Sequence, residues 1–183
     1  MNRFCRCNQL EIYNEMRKLW SQHVYWTRFF IISTVEGLDD LKYVTDRLLQ
    51  NPGDFANALK KFYSQKESDT FKSLLTEHLQ IGGELVNADK DMDTSKADEL
   101  RKKWYHNADD IAEFLCKINP NWSKQMWQKM MYSHLSMTEK EAALRIKKEY
   151  PKDIQMFNAI EREALEMADY MSKGIYRQFC CKR

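Results

Sequence analysis

Glycine and proline, the residues that most often interrupt helices, are scarce in this chain and leave long stretches uninterrupted. Only 5 Gly and 3 Pro occur among 183 residues, and neither occurs before Gly37 or between Gly83 and Pro120. A sheet of short strands needs many more turn-forming residues than this. The sequence therefore predicts an all-α fold in which long helices are joined by short connections.

Apolar residues recur at helical spacing in four long stretches. We predict long helices over about residues 8–34, 68–89, 95–118 and 152–177. Helices of this length span ~35 Å each, and four of them make a four-helix bundle. A chain of this size can form the bundle as one domain spanning 1–183. Its ends, residues 1–7 and 179–183, are expected to be loose tails.

Shorter helical patterns fill the two remaining segments and are interpreted as crossovers. The first segment is predicted to hold a helix over 38–48 and another that Asp54 begins, separated by a turn at 51–53. In the second segment, Thr138 and Glu141 match the capping-box pattern with which a helix begins. We therefore expect two separate short helices there, with a break before Thr138.

Each predicted long helix carries a polar residue inside its apolar seam, close to the midpoint of the helix. These residues are His23, His78, Asn107 (with Asp110 one turn later) and Glu161. If the helices lie side by side, these side chains converge at the centre of the bundle. Imidazole, carboxylate and amide groups are ligands for zinc, iron or manganese. The pattern predicts a central site for one transition-metal ion or a small polar ligand.

A helical hairpin predicts one of these juxtapositions more closely. If its turn is centred between Met92 and Asp93, His78 and Asn107 are equally far from the turn. In an antiparallel pair of helices the two side chains should then face each other.

The same pattern has a purely structural explanation, which stays open. A histidine in an apolar seam is more often a hydrogen-bonded core residue than a ligand, and His78 and Asn107 could satisfy each other. Glu161 could likewise form a buried ion pair with Arg28. The protein would then be a non-enzymatic interaction module that forms a homo-oligomer or binds a partner protein. Its binding surface would use exposed aromatic residues such as Tyr25, Trp26, Phe29 and Trp122.

Three further features bear on the interior. A haem held by His23 and His78 is a third alternative, for which the bulky tryptophans nearby leave little room.

His134 follows the apolar spacing of its helix and could cover the cavity, but a packing role is expected. The Gly82-Gly83 pair lies within a predicted helix, where it lowers stability, and so predicts a close approach by another helix.

Charge and hydropathy exclude several classes of protein. The chain has 29 Lys and Arg against 27 Asp and Glu, and no dense basic stretch indicates binding to nucleic acid. No long uncharged apolar run predicts a transmembrane helix. The basic residues within 1–7 precede no apolar block, so a signal peptide is not expected. We predict a cytoplasmic protein with reduced thiols. No arrangement of residues identifies a catalytic mechanism.

Four phrases, LLTEHLQIGGELV, WYHNADDIAEFL, NPNW and GIYRQF, occur in this order within residues 20–179. They resemble a family of small, uncharacterised bacterial helical proteins that are sometimes labelled acetylglutamate kinase. The resemblance implies a bacterial origin and a helical bundle, and it transfers no catalytic residues. The kinase label conflicts with the composition, because amino-acid kinases have an α/β sheet and glycine-rich phosphate turns whereas this chain has only 5 Gly.

Overall fold

The computed structural model describes residues 8–180, which contain helices and no strands. The all-α prediction is therefore confirmed for this part of the chain. In order, the helices are α1 (Gln9–Glu36), α2 (Leu41–Leu48), α3 (Asn51–Leu59), α4 (Gln65–Lys90), α5 (Thr94–Ile118), α6 (Lys124–Ile146) and α7 (Tyr150–Phe179).

Local sequence explains where the long helices begin and end. The side chain of Asn8 accepts a hydrogen bond from the backbone N–H of Leu10 at the start of α1. Gly37 ends α1 in the left-handed conformation, with φ of 67°, which glycine adopts without strain. Ser64 and Glu67 form a reciprocal capping box at the start of α4. These caps lie close to the predicted boundaries.

Helix α6 differs from the prediction because it runs without a break through Thr138. The Thr138 hydroxyl donates to the backbone carbonyl of His134 at 2.9 Å, and Glu141 accepts a hydrogen bond from Arg28 on α1. Thr138 therefore bonds within α6 and Glu141 bonds to another helix, so neither caps a helix start. The predicted capping box is wrong. The described chain has five long helices, of 23 to 30 residues, where four were predicted.

Residues 51–53 are also helical, so the predicted turn is wrong. Asn51 is the first residue of α3, and Pro52 lies in the first helical turn, where its missing N–H is not needed. The Asn51 side chain is fully buried, and its Nδ2 donates to the backbone carbonyl of Leu19 at 3.1 Å. This hydrogen bond attaches the start of α3 to α1.

The long helices surround a shared apolar core. Helix α4 packs on α5, α5 on α6, α6 on α7, and α7 on α1. Contacts between α1 and α4 close this ring, and α6 touches both of them across the interior. The side chains of Phe55, Phe71 and Trp127 are among the largest that are fully buried. Helices α1, α4 and α6 therefore contact one another inside the protein.

The C-terminal end of α7 is packed, so the expectation of a loose tail from residue 179 is wrong at Phe179. The Phe179 ring lies 5.1 Å from the Tyr63 ring in an edge-to-face contact. Cys180 is disulfide-bonded, which corrects the prediction of reduced thiols at that position, while Cys116 is free and half-buried. The expectations for 1–7 and 181–183 fall outside the described residues.

Two surface predictions can be compared with the structure. Trp122 was expected to be exposed, but it is buried against Trp127, and its indole nitrogen donates to the Tyr170 carbonyl. Gly174 makes room for this indole, because a Cβ there would lie 1.9 Å from the Trp122 nitrogen.

None of the helices within residues 8–180 has both the length and the apolar character needed to cross a bilayer.

Candidate functional site

Three histidines from three helices meet at the centre of the protein. His23 on α1, His78 on α4 and His134 on α6 are each 2% exposed. The ring centroids of His23 and His134 are 5.6 Å apart, and those of His23 and His78 are 6.5 Å apart. The convergence of His23 and His78 is as predicted, and His134 joins them. We call these three residues the histidine cluster.

His78 faces Asn107, as the register of the hairpin predicts. Nδ1 of His78 lies 3.0 Å from Oδ1 of Asn107. The Asn107 amide nitrogen donates to the Leu74 carbonyl at 3.1 Å and to the Glu77 carboxylate at 3.2 Å. Because these partners only accept hydrogen bonds, the amide oxygen must face the histidine. Nδ1 of His78 therefore donates and carries the proton.

His23 makes the equivalent contact with Asn51. Nδ1 of His23 lies 3.1 Å from Oδ1 of Asn51, and the Asn51 amide nitrogen donates to the Leu19 carbonyl. The proton of His23 is therefore on Nδ1 as well. In a neutral imidazole this leaves Nε2 as an unprotonated acceptor. Within residues 8–180, Nε2 of His23 and of His78 accepts no hydrogen bond.

His134 lies against a carboxylate, Glu163 of α7. Its Nδ1 is 3.4 Å from Oε2 of Glu163, but the two groups are not aligned as a hydrogen bond. Neither Nδ1 of His134 nor either oxygen of Glu163 has a hydrogen-bond partner in the described part of the chain. The Glu163 side chain is only 11% exposed. A carboxylate this well buried is stabilised by a nearby positive charge.

Burial keeps His23 and His78 uncharged at neutral pH. The pKa of His23 is lowered to about 3, mainly by burial and also by the neighbouring His134, while the hydrogen bond that His23 donates to Asn51 opposes this shift. Burial also lowers the pKa of His78 well below 6.5, and repulsion from the other two histidines adds to this effect. Nε2 of both rings therefore keeps its lone pair at neutral pH.

The three rings line a cavity of about 30 Å³. A water molecule needs roughly 10–15 Å³ of such volume, so the cavity accommodates two or three water-sized groups. It is too small for a haem, which removes that alternative. Apart from the histidines, the wall is mostly apolar and includes Phe30, Ile31, Leu48, Leu79, Val86 and Trp104.

The glycine pair of α4 shapes this wall. A Cβ at Gly82 would lie 3.0 Å from the Trp104 ring, and one at Gly83 would lie 3.2 Å from the Phe30 ring. The predicted close approach is thus made by two aromatic rings from α5 and α1. The indole nitrogen of Trp104 also donates to the backbone carbonyl of His78 at 2.9 Å, which holds the ring against α4.

Two of the predicted site residues lie apart from the histidine cluster. Asp110 is half-exposed on α5, where it is 3.8 Å from Nε2 of His106, itself an exposed residue. Glu161 accepts a hydrogen bond from the partly exposed hydroxyl of Tyr25, between α1 and α7. The structure brings together His23, His78 and Asn107. The predicted convergence is wrong for Asp110 and Glu161.

Arg28 does not pair with Glu161, which corrects the alternative ion-pair prediction. Its guanidinium donates to the buried carboxylates of Glu141 on α6 and Asp153 on α7. Burial raises the pKa of Glu141 to about 7, while the charge of Arg28 opposes that shift. Arg145 contacts Asp153 as well, at 3.4 Å. This charged group joins α1, α6 and α7 beside the histidine cluster.

The histidine cluster is too widely spaced to hold an ion as its side chains stand. No group of three or more His, Cys, Asp or Glu residues in the range 8–180 has the geometry of a metal site. Rings bound to one tetrahedral ion would have centroids roughly 5 Å apart, given metal–nitrogen distances of about 2.0–2.1 Å. Both measured centroid distances are longer than this.

Sequence reasoning missed Asn51 and Glu163 near the cluster, and it considered His134 only as a residue that could cover the cavity, with a packing role expected. One signal for His134 was present, because Trp127, Met131, His134, Thr138 and Glu141 follow one continuous helical stripe, and all five are buried. Interpreting that stripe as a single helix would have placed His134 near its middle. Asn51 and Glu163 carry no comparable signal, since each contacts a residue that is distant in the sequence.

Comparisons with known proteins provide no relative from which a function could be carried over. No protein-family model, no curated protein and no solved structure matches this chain. The functional argument therefore starts from the histidine cluster itself.

Proposed function

We propose that this protein binds one transition-metal ion through Nε2 of His23, His78 and His134. The supporting observation is the direction in which the rings are held. Nδ1 of each ring lies beside an amide or carboxylate oxygen, and for His23 and His78 this contact leaves Nε2 without a proton. Histidines that bind metals usually donate their other ring N–H to an oxygen in this way.

The ion would draw the rings together. The His23 and His78 rings, now 6.5 Å apart, would have to approach by about 1.5 Å to reach the spacing of a tetrahedral site. The cavity that the rings line offers space into which they can move. The proposed site is thus incomplete in the ion-free protein and is completed by the ion.

The charges around the cluster favour a cation. The imidazoles of His23 and His78 are neutral ligands, and the buried carboxyl group of Glu163 lies beside His134. An ion at Nε2 would make the Nδ1–H of His134 a stronger donor towards that carboxylate. Imidazole ligands suit zinc, iron and copper, and zinc bound by three protein ligands keeps a fourth position for water. Zinc and ferrous iron are the first ions to test.

Metal analysis of protein purified without a histidine tag tests the proposal. We expect one ion per chain after incubation with zinc, cobalt(II) or ferrous iron, and loss of that ion in His23→Ala and His134→Ala. His106→Ala is the matched control, because His106 is exposed on α5. Failure of all three ions to bind, or unchanged binding in the two cluster variants, would contradict the proposal.

An apolar surface favours a second function, that of an interaction module. Tyr25 and Phe29 on α1 and Ile154 on α7 are 38%, 47% and 54% exposed. The Tyr25 ring lies 5.7 Å from that of Phe157, so the surface continues from α1 to α7. Exposed apolar patches of this kind mark sites of protein association.

Sedimentation analysis over a range of protein concentrations tests this second function. If the surface mediates self-association, Phe29→Glu should shift the population towards monomer. Leu38→Glu is the control, because Leu38 is a similarly exposed apolar residue just beyond the end of α1. A wild-type protein that stays monomeric throughout would exclude a homo-oligomer.

A further inference from the structure

We infer that the histidine cluster of the metal-free protein binds an ammonium ion, which donates hydrogen bonds to the imidazole rings. This inference goes beyond the proposed metal binding and does not depend on it. Three observations carry it: the acceptor nitrogens that the rings offer, the spacing between the rings, and the size and wall of the cavity that they line.

The rings offer hydrogen-bond acceptors that have no donor. Nδ1 of His23 and of His78 donates to an asparagine oxygen, so Nε2 of both rings is an acceptor. Neither Nε2 accepts a hydrogen bond within residues 8–180. An ionised Glu163 would favour the proton of His134 on Nδ1, 3.4 Å away, and leave its Nε2 as a third acceptor. A water molecule has too few hydrogens to satisfy three acceptors, whereas an ammonium ion has enough.

The spacing of the rings suits hydrogen bonds better than metal bonds. Two imidazoles that accept from one tetrahedral nitrogen at about 2.9 Å have centroids roughly 6–7 Å apart. The centroids of His23 and His78 are 6.5 Å apart, within this range. Those of His23 and His134 are 5.6 Å apart, which corresponds to a narrower angle of roughly 90° at the same hydrogen-bond length. The rings can therefore bind an ammonium ion close to their present positions.

The cavity has the size and the wall that a small cation requires. Its volume of about 30 Å³ holds two or three water-sized groups. The rings of Phe30 and Trp104 line it, and aromatic rings attract cations that lie over their faces. The hydrogen that points to no imidazole can therefore face an aromatic ring. Tetramethylammonium carries the same charge but is too large for this space and has no N–H to donate.

The charge of the ion requires compensation, because an unpaired charge inside a protein is strongly unfavourable. The carboxyl group of Glu163 lies next to the cluster, and neither of its oxygens has a hydrogen-bond partner in the described part of the chain. A bound cation would favour the ionised form of this group. The His134 ring then lies between the two charges, donating to the carboxylate through one nitrogen and accepting from the ammonium ion through the other.

The test adds ammonium chloride labelled with heavy nitrogen to the metal-free, full-length protein in the presence of a chelator. We expect a slowly exchanging proton signal of bound ammonium in nuclear magnetic resonance spectra. The melting temperature should also rise with the ammonium concentration, because the ligand binds the folded state. Potassium chloride at equal concentration should have a much smaller effect, since potassium has the same charge but donates no hydrogen bond. Tetramethylammonium should not displace the labelled ion.

Two variants and a matched control locate the bound ion. His78→Phe keeps an aromatic ring but removes one acceptor, and Val86→Phe fills the cavity while all three histidines stay in place. Each should weaken ammonium binding by roughly 10-fold or more, as expected when a hydrogen bond to a charged group is lost. His106→Phe should leave binding unchanged, because His106 is exposed on α5.

The outcomes separate this inference from the proposed metal binding. Absence of the bound signal in wild-type protein overturns the inference, whether or not the variants fold. Equal stabilisation by potassium and ammonium overturns it as well, and so does displacement of the label by tetramethylammonium. Unchanged binding in a folded His78→Phe or Val86→Phe variant has the same consequence. If zinc, cobalt(II) and ferrous iron all fail to bind, the proposed function is overturned and this inference stands.

Discussion

Nδ1 of His134 lies 3.4 Å from Oε2 of Glu163, yet the two groups form no hydrogen bond and neither has another partner within residues 8–180. The corresponding nitrogens of His23 and His78 are each paired with an asparagine. His134 is thus the one member of the cluster whose orientation is incompletely fixed. Binding of an ion would strengthen its attraction to Glu163 and complete the arrangement.

Replacing Glu163 should weaken metal binding without destabilising the ion-free protein. We expect Glu163→Gln to reduce zinc affinity by roughly 10–100-fold, because it removes the negative charge beside His134. The free energy of unfolding without metal should stay the same or rise, since a buried unpaired carboxylate is lost. Competition with a chelating indicator and chemical denaturation measure the two effects. Glu166→Gln, an exposed position on the same helix, is the control, and equal affinities in the two variants would contradict the role of Glu163.

Asn107 should contribute to stability as well as to the orientation of His78. Asn107→Ala leaves a buried imidazole N–H without an acceptor and opens a small void. We expect the free energy of unfolding to fall by about 2–4 kcal/mol. Denaturation of the metal-free protein with urea measures this loss. Asn158→Ala, an exposed substitution on α7, should change it little. A loss no greater than that of the control would show that the His78–Asn107 contact is energetically unimportant.

The stability that depends on His23 should decrease in mild acid. The pKa of His23 is about 3 in the folded protein and about 6.5 when unfolded. Between these values the unfolded chain binds a proton that the folded chain does not, so the contribution of His23 is fully present above pH 6.5 and declines as the pH falls towards 3. By pH 5 the loss should reach about 2 kcal/mol.

This effect is measured as a difference between two proteins. The pKa of Glu141 is raised to about 7, so Glu141 favours folding more as the pH falls from 7 to 4.5, in the opposite direction. Subtracting the unfolding free energy of His23→Gln from that of the wild type removes this contribution. With a chelator present, the unfolding free energy of the wild type minus that of His23→Gln should decrease by about 2 kcal/mol between pH 7.5 and pH 5. A difference independent of pH would show that His23 is accessible to protons in the folded state.

Two glycines in helices should respond oppositely to the same substitution. A Cβ at Gly174 would lie 1.9 Å from the Trp122 nitrogen, whereas the nearest atom to one at Gly53 is 4.0 Å away. Gly174→Ala should therefore lower the free energy of unfolding by about 1–3 kcal/mol or more, because the indole must move. Gly53→Ala should raise it by up to about 1 kcal/mol through helix propensity. Thermal denaturation compares them, and similar melting temperatures would contradict the close packing at Trp122.

Periodicity was sufficient wherever the determining contacts are local. The helical class, the cap at Gly37 and the facing positions of His78 and Asn107 all follow from residues close to one another or from the symmetry of a short hairpin. A local pattern was misleading at Thr138 and Glu141, which match a capping box but lie within α6. Their side chains are used by a carbonyl of the same helix and by Arg28 of α1, and a capping rule takes no account of such a distant partner.

The sequence by itself determined that helices form and which of their faces are apolar, because burial and helix propensity act through nearby residues. Only the tertiary structure decided which polar residues share the interior. His134 and Asn51 meet His23 there, while Asp110 and Glu161 remain on the surface side of their helices. The physical reason is that a helix rotated by one residue turns its side chains through about 100°. That rotation depends on how bulky groups such as Trp104 and Phe30 pack against the glycines of α4, and sequence spacing along a single helix contains no information about it.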